Sequence, residues 1–421
     1  VVVHPGADAP LAPEGEPYEA WTWSPVGDPA YAGLLRTDGN RLESLSVGAD
    51  GSITALTPDG TIITRIGHDG STLWARQVVP TFRDGRVVGP ITSSPDGSVY
   101  FDILWSPEVP FGFAVWHLDA NGDLLDTRQY AEGEDLRVWG QYRQWMSIGP
   151  DGAVYYRERG TSIMVKSCPG RRTPAWRLAA EVDGFRSSPS SGVAQADGGM
   201  LASALGGVVR IESDGEVDWV LPRTSEYTAG GLVMASADVY AVSRAQGTAA
   251  SGVMFLFDEH WTELWRSPRN RGGDYRLDPG GRLWTLVDPD GGTVRTASGE
   301  LLWEGEAART RARHAWGEDG SMLVAEGRMV RRIDGATGEV LWELAVGNPG
   351  DEARVWHLDS DGRLYVGVLG PGDGDLWGLI NRIVAVQTDV RAAHGVCLGR
   401  WEQHWCNRHE NYSMWDYGPA E

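Results

Sequence analysis

One phrase recurs along the chain and limits the fold more than any other feature: a few apolar residues, then Asp-Gly, then a short alternating strand. It reads Gly48-Ala49-Asp50-Gly51-Ser52-Ile53-Thr54-Ala55-Leu56 and returns as Ser94-Pro95-Asp96-Gly97-Ser98-Val99-Tyr100-Phe101. Further copies stand at Asp151-Gly152, Asp197-Gly198, Asp319-Gly320 and Asp361-Gly362. Degenerate copies run Ala237-Asp238-Val239-Tyr240 and Asp278-Pro279-Gly280-Gly281. The seven steps from Asp50 to Asp361 give about 44 residues per copy. Asp-Gly suits a tight hairpin, whose central residues need positive φ.

A second phrase falls between these copies, a turn followed by a strand carrying Leu-Trp. It appears as Asp69-Gly70-Ser71-Thr72-Leu73-Trp74 and ends later copies at Trp176, Leu264-Trp265, Leu302-Trp303 and Leu341-Trp342. In Asp214-Gly215-Glu216-Val217-Asp218-Trp219 an aspartate replaces the last leucine. A tryptophan recurring at one position is a packing device: its indole covers the seam between neighbouring sheets and offers its N–H to a carbonyl.

Two hairpin signals per 44 residues predict four strands per repeat, and so an all-β, eight-bladed β-propeller of four-stranded blades. Seven blades plus a cap is the alternative. In one repeat the strands are expected at Arg313–Gly317, Ser321–Ala325, Met329–Ile333 and Val340–Ala345. The last repeat shows three, ending at Arg382–Gln387, and Arg41–Val47 is expected to close the ring as its fourth. The domain reading is a Pro- and acid-rich linker at 1–19, a propeller at 20–390 and an aromatic, Cys/His-containing extension at 391–421.

The paired phrases, best seen in Arg332-Ile333-Asp334-Gly335-Ala336-Thr337-Gly338-Glu339-Val340-Leu341-Trp342, resemble the quinoprotein-like (PQQ-like) propeller repeat over residues 40–390. The resemblance implies the fold and leaves function open, because many unrelated proteins share the repeat. Quinone-dependent members place the quinone against a disulfide between adjacent cysteines. No cysteines are adjacent here, so no quinone is expected. Outer-membrane-assembly-type and other non-catalytic members are the nearer analogy.

The net charge of −21 includes a single lysine, Lys166, and disfavours nucleic acid as a partner. No run of eighteen apolar residues occurs, so no transmembrane segment is expected. The chain opens Val1-Val2-Val3-His4: either a signal peptide has been removed or the sequence simply starts here. With the paired cysteines, this reads as an exported protein, periplasmic, at the cell surface or extracellular, and the composition as bacterial.

No hydrolase elbow, zinc-protease helix or phosphate loop is found, so no catalytic residues are assigned. The strand before each Asp-Gly should be innermost and line a funnel, where Arg276, His314, Trp356 and His357 are candidate ligand-binding residues. Acidic turns at Asp119–Asp123, Asp288–Gly291 and Asp359–Gly362 read as hairpin turns or, failing that, calcium loops. In the tail, Cys397 and Cys406 are expected to form a disulfide, with Cys168 left free. His394, His404 and His409 offer an alternative transition-metal site. The functional expectation is a non-catalytic binding or scaffolding propeller with a protein partner and no cofactor. The alternatives are a hydrolase or lyase acting on an anionic ligand in the funnel, or a metal-binding protein using the tail.

Overall fold

The computed structural model describes residues 10–25, 28–29, 44–48, 50–56, 62–77, 86–87, 91–93, 97–104, 113–129, 146–148, 153–157, 164–168, 175–178, 192–194, 197–204, 207–222, 229–236, 239–245, 252–267, 275–285, 292–305, 314–370 and 380–393. Cys397, Cys406, His394, His404, His409 and the turn Asp288–Gly291 lie outside them. Cys168 is a free, half-buried cysteine.

The described chain is all-β and forms eight antiparallel sheets in sequence order. The first holds Ser44–Val47, Ile53–Leu56, Ile62–Ile66 and Thr72–Gln77. In the second, Arg86–Val87 and Thr92–Ser93 both pair with Val99–Leu104, followed by Phe113–Leu118 and Leu124–Gln129. The third has Met146–Ile148, Val154–Arg157, Met164–Ser167 and Trp176–Leu178. The fourth has Gly192–Ala194, Met200–Ala204, Gly207–Ile211 and Val217–Leu221. The fifth has Ala229–Ser236, Val239–Ala245, Gly252–Asp258 and Glu263–Arg266. The sixth has Tyr275–Leu277, Leu283–Thr285, Gly292–Arg295 and Leu301–Gly305. The seventh has His314–Trp316, Met322–Glu326, Met329–Ile333 and Val340–Ala345, each within two residues of its expected place.

The eighth sheet takes Glu352–Leu358, Arg363–Leu369 and Arg382–Gln387 from the C-terminal side. Its fourth strand is Tyr18–Trp23, which runs antiparallel to Arg382–Gln387 from Tyr18↔Gln387 to Trp23↔Ile383. This corrects the expectation for Arg41–Val47. Ser44–Val47 pairs instead with Ile53–Leu56 in a local hairpin and is the first strand of the first sheet. The shortest connection wins, because the nearest complementary strand lies just across the Asp50-Gly51 turn. The segment before Tyr18 also lies on the eighth sheet, where Ala12 N–H donates to the Thr388 carbonyl at 2.9 Å.

The first strands of neighbouring sheets approach one another: Ser44–Val47 and Met146–Ile148 both meet Thr92–Ser93, and Ala229–Ser236 meets both Gly192–Ala194 and Tyr275–Leu277. First strands are therefore inner and fourth strands outer. The core lies in wedges between sheets. One wedge joins Ala315, Leu323 and Val330 of the seventh to Val355, Leu364 and Val384 of the eighth. Another joins Tyr365, Ile383 and Trp23 of the eighth to Leu45, Ile53 and Ile62 of the first. Both faces of a middle strand are covered, so Ile62–Ile66 is buried throughout instead of alternating.

The recurring indoles sit where the sequence places them, across the seams. Trp74 Nε1 donates to the Ala120 carbonyl at 2.9 Å, Trp176 to Ser213 at 3.2 Å and Trp303 to Gly335 at 3.2 Å. Each acceptor lies in the turn between the third and outer strands of the next sheet. Trp342 finds the Asp389 carboxylate at 2.8 Å. Trp21, on the N-terminal strand, supplies the same contact for the eighth sheet, donating to the His68 carbonyl at 2.9 Å. No helix among the described residues is long and apolar enough to cross a membrane.

Candidate functional site at the closing seam

Where the eighth sheet meets the first, titratable groups gather that the other seams lack. The inner turns of the repeats share one design: a carboxylate folds back onto the backbone N–H groups of its own turn. Asp50 does so for Ser52, Asp319 for Ser321 and Asp197 for Gly199. In the sixth sheet Asp278, two positions earlier, caps Gly280 and Arg282. The eighth sheet has aspartate at both places. Asp359 Oδ1 accepts from the N–H groups of Asp361 and Arg363, and Asp361 stands beside it.

His68 comes from the outer turn of the first sheet, Gly67–Gly70. Its Nε2 lies 2.9 Å from an Asp361 carboxylate oxygen and 3.8 Å from Asp359. An Arg363 Nη1 lies 2.8 Å from its Nδ1 and also donates to the His68 carbonyl. A guanidinium can only donate, so Nδ1 carries the lone pair and Nε2 carries the proton shared with Asp361. Behind them the Tyr365 hydroxyl lies 2.9 Å from the Gly51 carbonyl and 3.0 Å from Asp359 Oδ2. Tyr365 has one proton for two acceptors. Gly51 can only accept, so the set closes when Asp359 carries a proton of its own.

The electrostatics agree. Burial, then the hydrogen bond and charge of Asp361, push the Asp359 carboxyl up to about 7 against the Arg363 N–H. Burial also works against the Asp361 carboxylate, but the hydrogen bonds from His68 and Asp359 outweigh it and hold the group at about 2. Two carboxyls in contact thus share one proton. Burial and the Asp359 charge drive the Tyr365 hydroxyl well above its usual range.

His68, Asp359 and Asp361 present ligand atoms within 4.8 Å of one another, the spacing a metal ion needs. The surroundings fit a metal poorly. A metal on Nε2 requires Nδ1–H to donate to an acceptor. Here Nδ1 faces the Arg363 guanidinium, a donor and a cation. The cluster is built to hold a proton and to latch two sheets together.

The sequence singled out the turn Asp359–Gly362 but not His68, which occupies a turn position held elsewhere by Ala120, Ser213 and Gly335. A histidine among small residues is the one signal that marked it. In the other acidic turn, Asp119 Oδ1 accepts from the N–H groups of Asn121 and Asp123, the hairpin geometry expected.

The four funnel candidates sit on the inner strands of three sheets, Arg276 in the sixth, His314 in the seventh, Trp356 and His357 in the eighth. All are buried. Arg276 Nη1 donates to the Tyr275 carbonyl at 2.8 Å, and the His314 ring meets Trp316 edge-on at 5.1 Å. His357 stacks on Tyr365 at 6.3 Å, beside the latch, and Trp356 packs in the wedge with Leu45 and Tyr365.

No protein family and no curated protein matches the chain. Solved structures do. Rhamnogalacturonan lyase YesW aligns with a TM-score of 0.52 at 14% identity, covering 85% of this chain and 73% of that one. Dihydro-heme d1 dehydrogenase NirN aligns with a TM-score of 0.50 at 13% identity, covering 73% and 67%. Virginiamycin B lyase from Staphylococcus aureus aligns with a TM-score of 0.44 at 13% identity, covering 84% and 97%. The chain is a β-propeller-like, all-β protein of four-stranded antiparallel sheets. At these identities the likeness extends to the fold alone, and what the lyases and the dehydrogenase act on remains a property of those proteins.

Proposed function

We propose that the eight sheets are the blades of one closed propeller of quinoprotein-like repeats, working as an exported, non-catalytic binding or scaffolding protein for protein partners. The observation that carries the reading is where the chain leaves apolar surface exposed. Among the described residues, the large exposed apolar side chains all lie on outer strands: Tyr18, Leu73, Leu124 and Leu125, Trp219, Leu264, Leu301 and Leu302, Val340 and Leu341. The inner strands and turns spend their ionisable groups on seams, as Arg65 does in donating to the Gly97 carbonyl and to Asp50. The rim therefore offers apolar contact area on a rigid frame, as a protein interface requires.

The test is native mass spectrometry of the protein isolated from its source, beside a Leu124→Glu, Leu125→Glu variant. A second polypeptide held by the wild type and lost from the variant is the expected result. A wild-type protein that carries no polypeptide, or a partner equally retained by the variant, overturns the rim reading.

A further inference from the structure

The outer turns of the sheets close on a glycine in the left-handed region: Gly70, Gly122, Gly215, Gly299 and Gly338 have φ of 84°, 81°, 97°, 86° and 77°. An indole of the preceding sheet lies on each, so an added Cβ would meet Trp21, Trp74, Trp176, Trp265 or Trp303 at 3.0 Å or closer. The fifth sheet breaks this rule. Its turn has the same closing bond, from Trp261 N–H to the Asp258 carbonyl at 3.0 Å, but holds tryptophan at φ 60°. Trp261 is the one non-glycine residue with positive φ among the described residues. A bulky side chain there is strained, and such strain persists where it serves a purpose.

The indole that would cover a glycine at this turn is Trp219 of the fourth sheet. Trp74 pairs with Arg65, and Trp342 with Arg332, each beside a bulge that skips one residue. In the fourth sheet Asp218 takes the place opposite Arg210, and Trp219 moves on to Val209. A slip of one residue turns a side chain to the other face of the sheet. Trp219 is 38% exposed, against 8% for Trp74 and 6% for Trp342. Its neighbours Val220 and Leu221 pack on the same apolar cluster as Trp261 and Tyr240, which places both indoles at one seam. Trp261 itself stacks on Tyr240 at 4.7 Å and is only half-buried.

The surface around this pair is acidic. Asp214, Glu216 and Asp218 are exposed along the outer strand of the fourth sheet, and Glu259 is exposed in the turn of the fifth. Arg210 is already paired with Asp197 and Glu212, and Arg266 with Glu263. An exposed indole ringed by carboxylates complements one side chain best: arginine, whose flat guanidinium stacks on the ring while its N–H groups reach carboxylates.

We propose that the seam between the fourth and fifth sheets binds an arginine-bearing segment of a protein partner, seated on Trp219 and Trp261 and paired with Asp218 and Glu216. The proposal rests on the reading of a protein-binding rim and gives its partner a chemistry.

The test is calorimetric titration with the peptide acetyl-Gly-Arg-Gly-Arg-Gly-amide, its lysine counterpart and maltohexaose, at about 0.15 M salt. The arginine peptide should bind at least about fivefold tighter than the lysine peptide. Trp219→Ala should weaken it about tenfold, and Asp218→Asn, on an exposed carboxylate, should weaken it and flatten its salt dependence. Equal binding of both peptides, unchanged in Trp219→Ala, would reduce the effect to general acidity and overturn the site. Maltohexaose binding that depends on Trp219 would overturn the ligand class. The native partner separates this proposal from the rim reading. If Trp219→Ala still captures it while Leu124→Glu, Leu125→Glu does not, the seam fails and the rim stands. If the peptide depends on Trp219 while the rim variant keeps the partner, the rim fails and the seam stands.

Discussion

The indole of Trp74 lies so close over Gly122 of the next sheet that a Cβ added to the glycine would come within 2.9 Å of the ring. Gly122 also has φ 81°, so glycine is required there twice, for the turn and for the seam. Gly122→Ala should cost about 2–4 kcal/mol, combining backbone strain with displacement of the indole. Gly15 has φ 73° and nothing within 4 Å of a built Cβ, so Gly15→Ala isolates the backbone part. It should cost about 1 kcal/mol. Urea unfolding of both variants measures the difference, and equal losses would show that the seam contact adds nothing.

Trp21 makes the corresponding contact for the eighth sheet, against Gly70 and the His68 carbonyl, from a strand at the opposite end of the sequence. Trp21→Ala should cost about 2–4 kcal/mol. Trp21→Phe keeps the ring and loses the indole N–H, and should cost about 1 kcal/mol. Hydrogen exchange reads the location: protection should fall first at Arg382–Gln387, which pairs with Tyr18–Trp23, and at the His68 turn. Loss spread evenly over the sheets would show that this seam is no weaker than the rest.

What the sequence revealed and what it hid follow from how far apart the interacting residues lie. Asp319-Gly320 fixes its own hairpin within four residues, so the strands of the seventh sheet are legible to within two residues. The role of Trp74 is legible because it repeats. The pairing of Tyr18 with Gln387 has no local signature, and Ser44–Val47 has an equally alternating pattern, so pattern alone chose the wrong closing strand. His68 escaped for the same reason, since its carboxylate partner Asp361 belongs to the last repeat. The strain at Trp261 was hidden in a turn, Asp258–Thr262, that lacks the glycine by which the other copies are recognised.

Lys166, the chain's only lysine, is buried on the third strand of its sheet, with its ammonium 5.3 Å from the Tyr155 ring centroid. Its Nζ donates to the Gly198 carbonyl of the next sheet at 2.6 Å, and the Tyr155 hydroxyl donates to the same oxygen. That carbonyl keeps a partner when either donor is removed alone. Lys166→Met and Tyr155→Phe should therefore each cost about 1 kcal/mol, while the double variant, which strips both donors from a buried acceptor, should exceed their sum by about 1–2 kcal/mol. A double-mutant cycle in urea measures the coupling, and strict additivity would show that the carbonyl is satisfied from elsewhere.

The latch at the closing seam carries a definite pH signature. The Asp359 carboxyl is pushed from 3.8 up to about 7 on folding. Between those values the native state holds a proton that the unfolded chain has released, so stability falls as pH rises through that interval. The contribution of Asp359 is complete below 3.8 and gone once the pH has passed about 7. Asp361, held at about 2, runs the other way: its contribution is present above 3.8 and lost as pH falls through about 2. Other carboxylates held low, such as Asp50 beside Ser52 and Arg65, also weaken the fold in acid, so the wild-type profile alone mixes several groups. Asp359→Asn removes the one group that titrates near neutrality. The urea midpoint of the variant relative to wild type should rise steadily from about pH 4 to about pH 7 and level off above about pH 8. A constant difference across that range would mean that Asp359 is ionised in the native state and that Tyr365 donates to it rather than to Gly51.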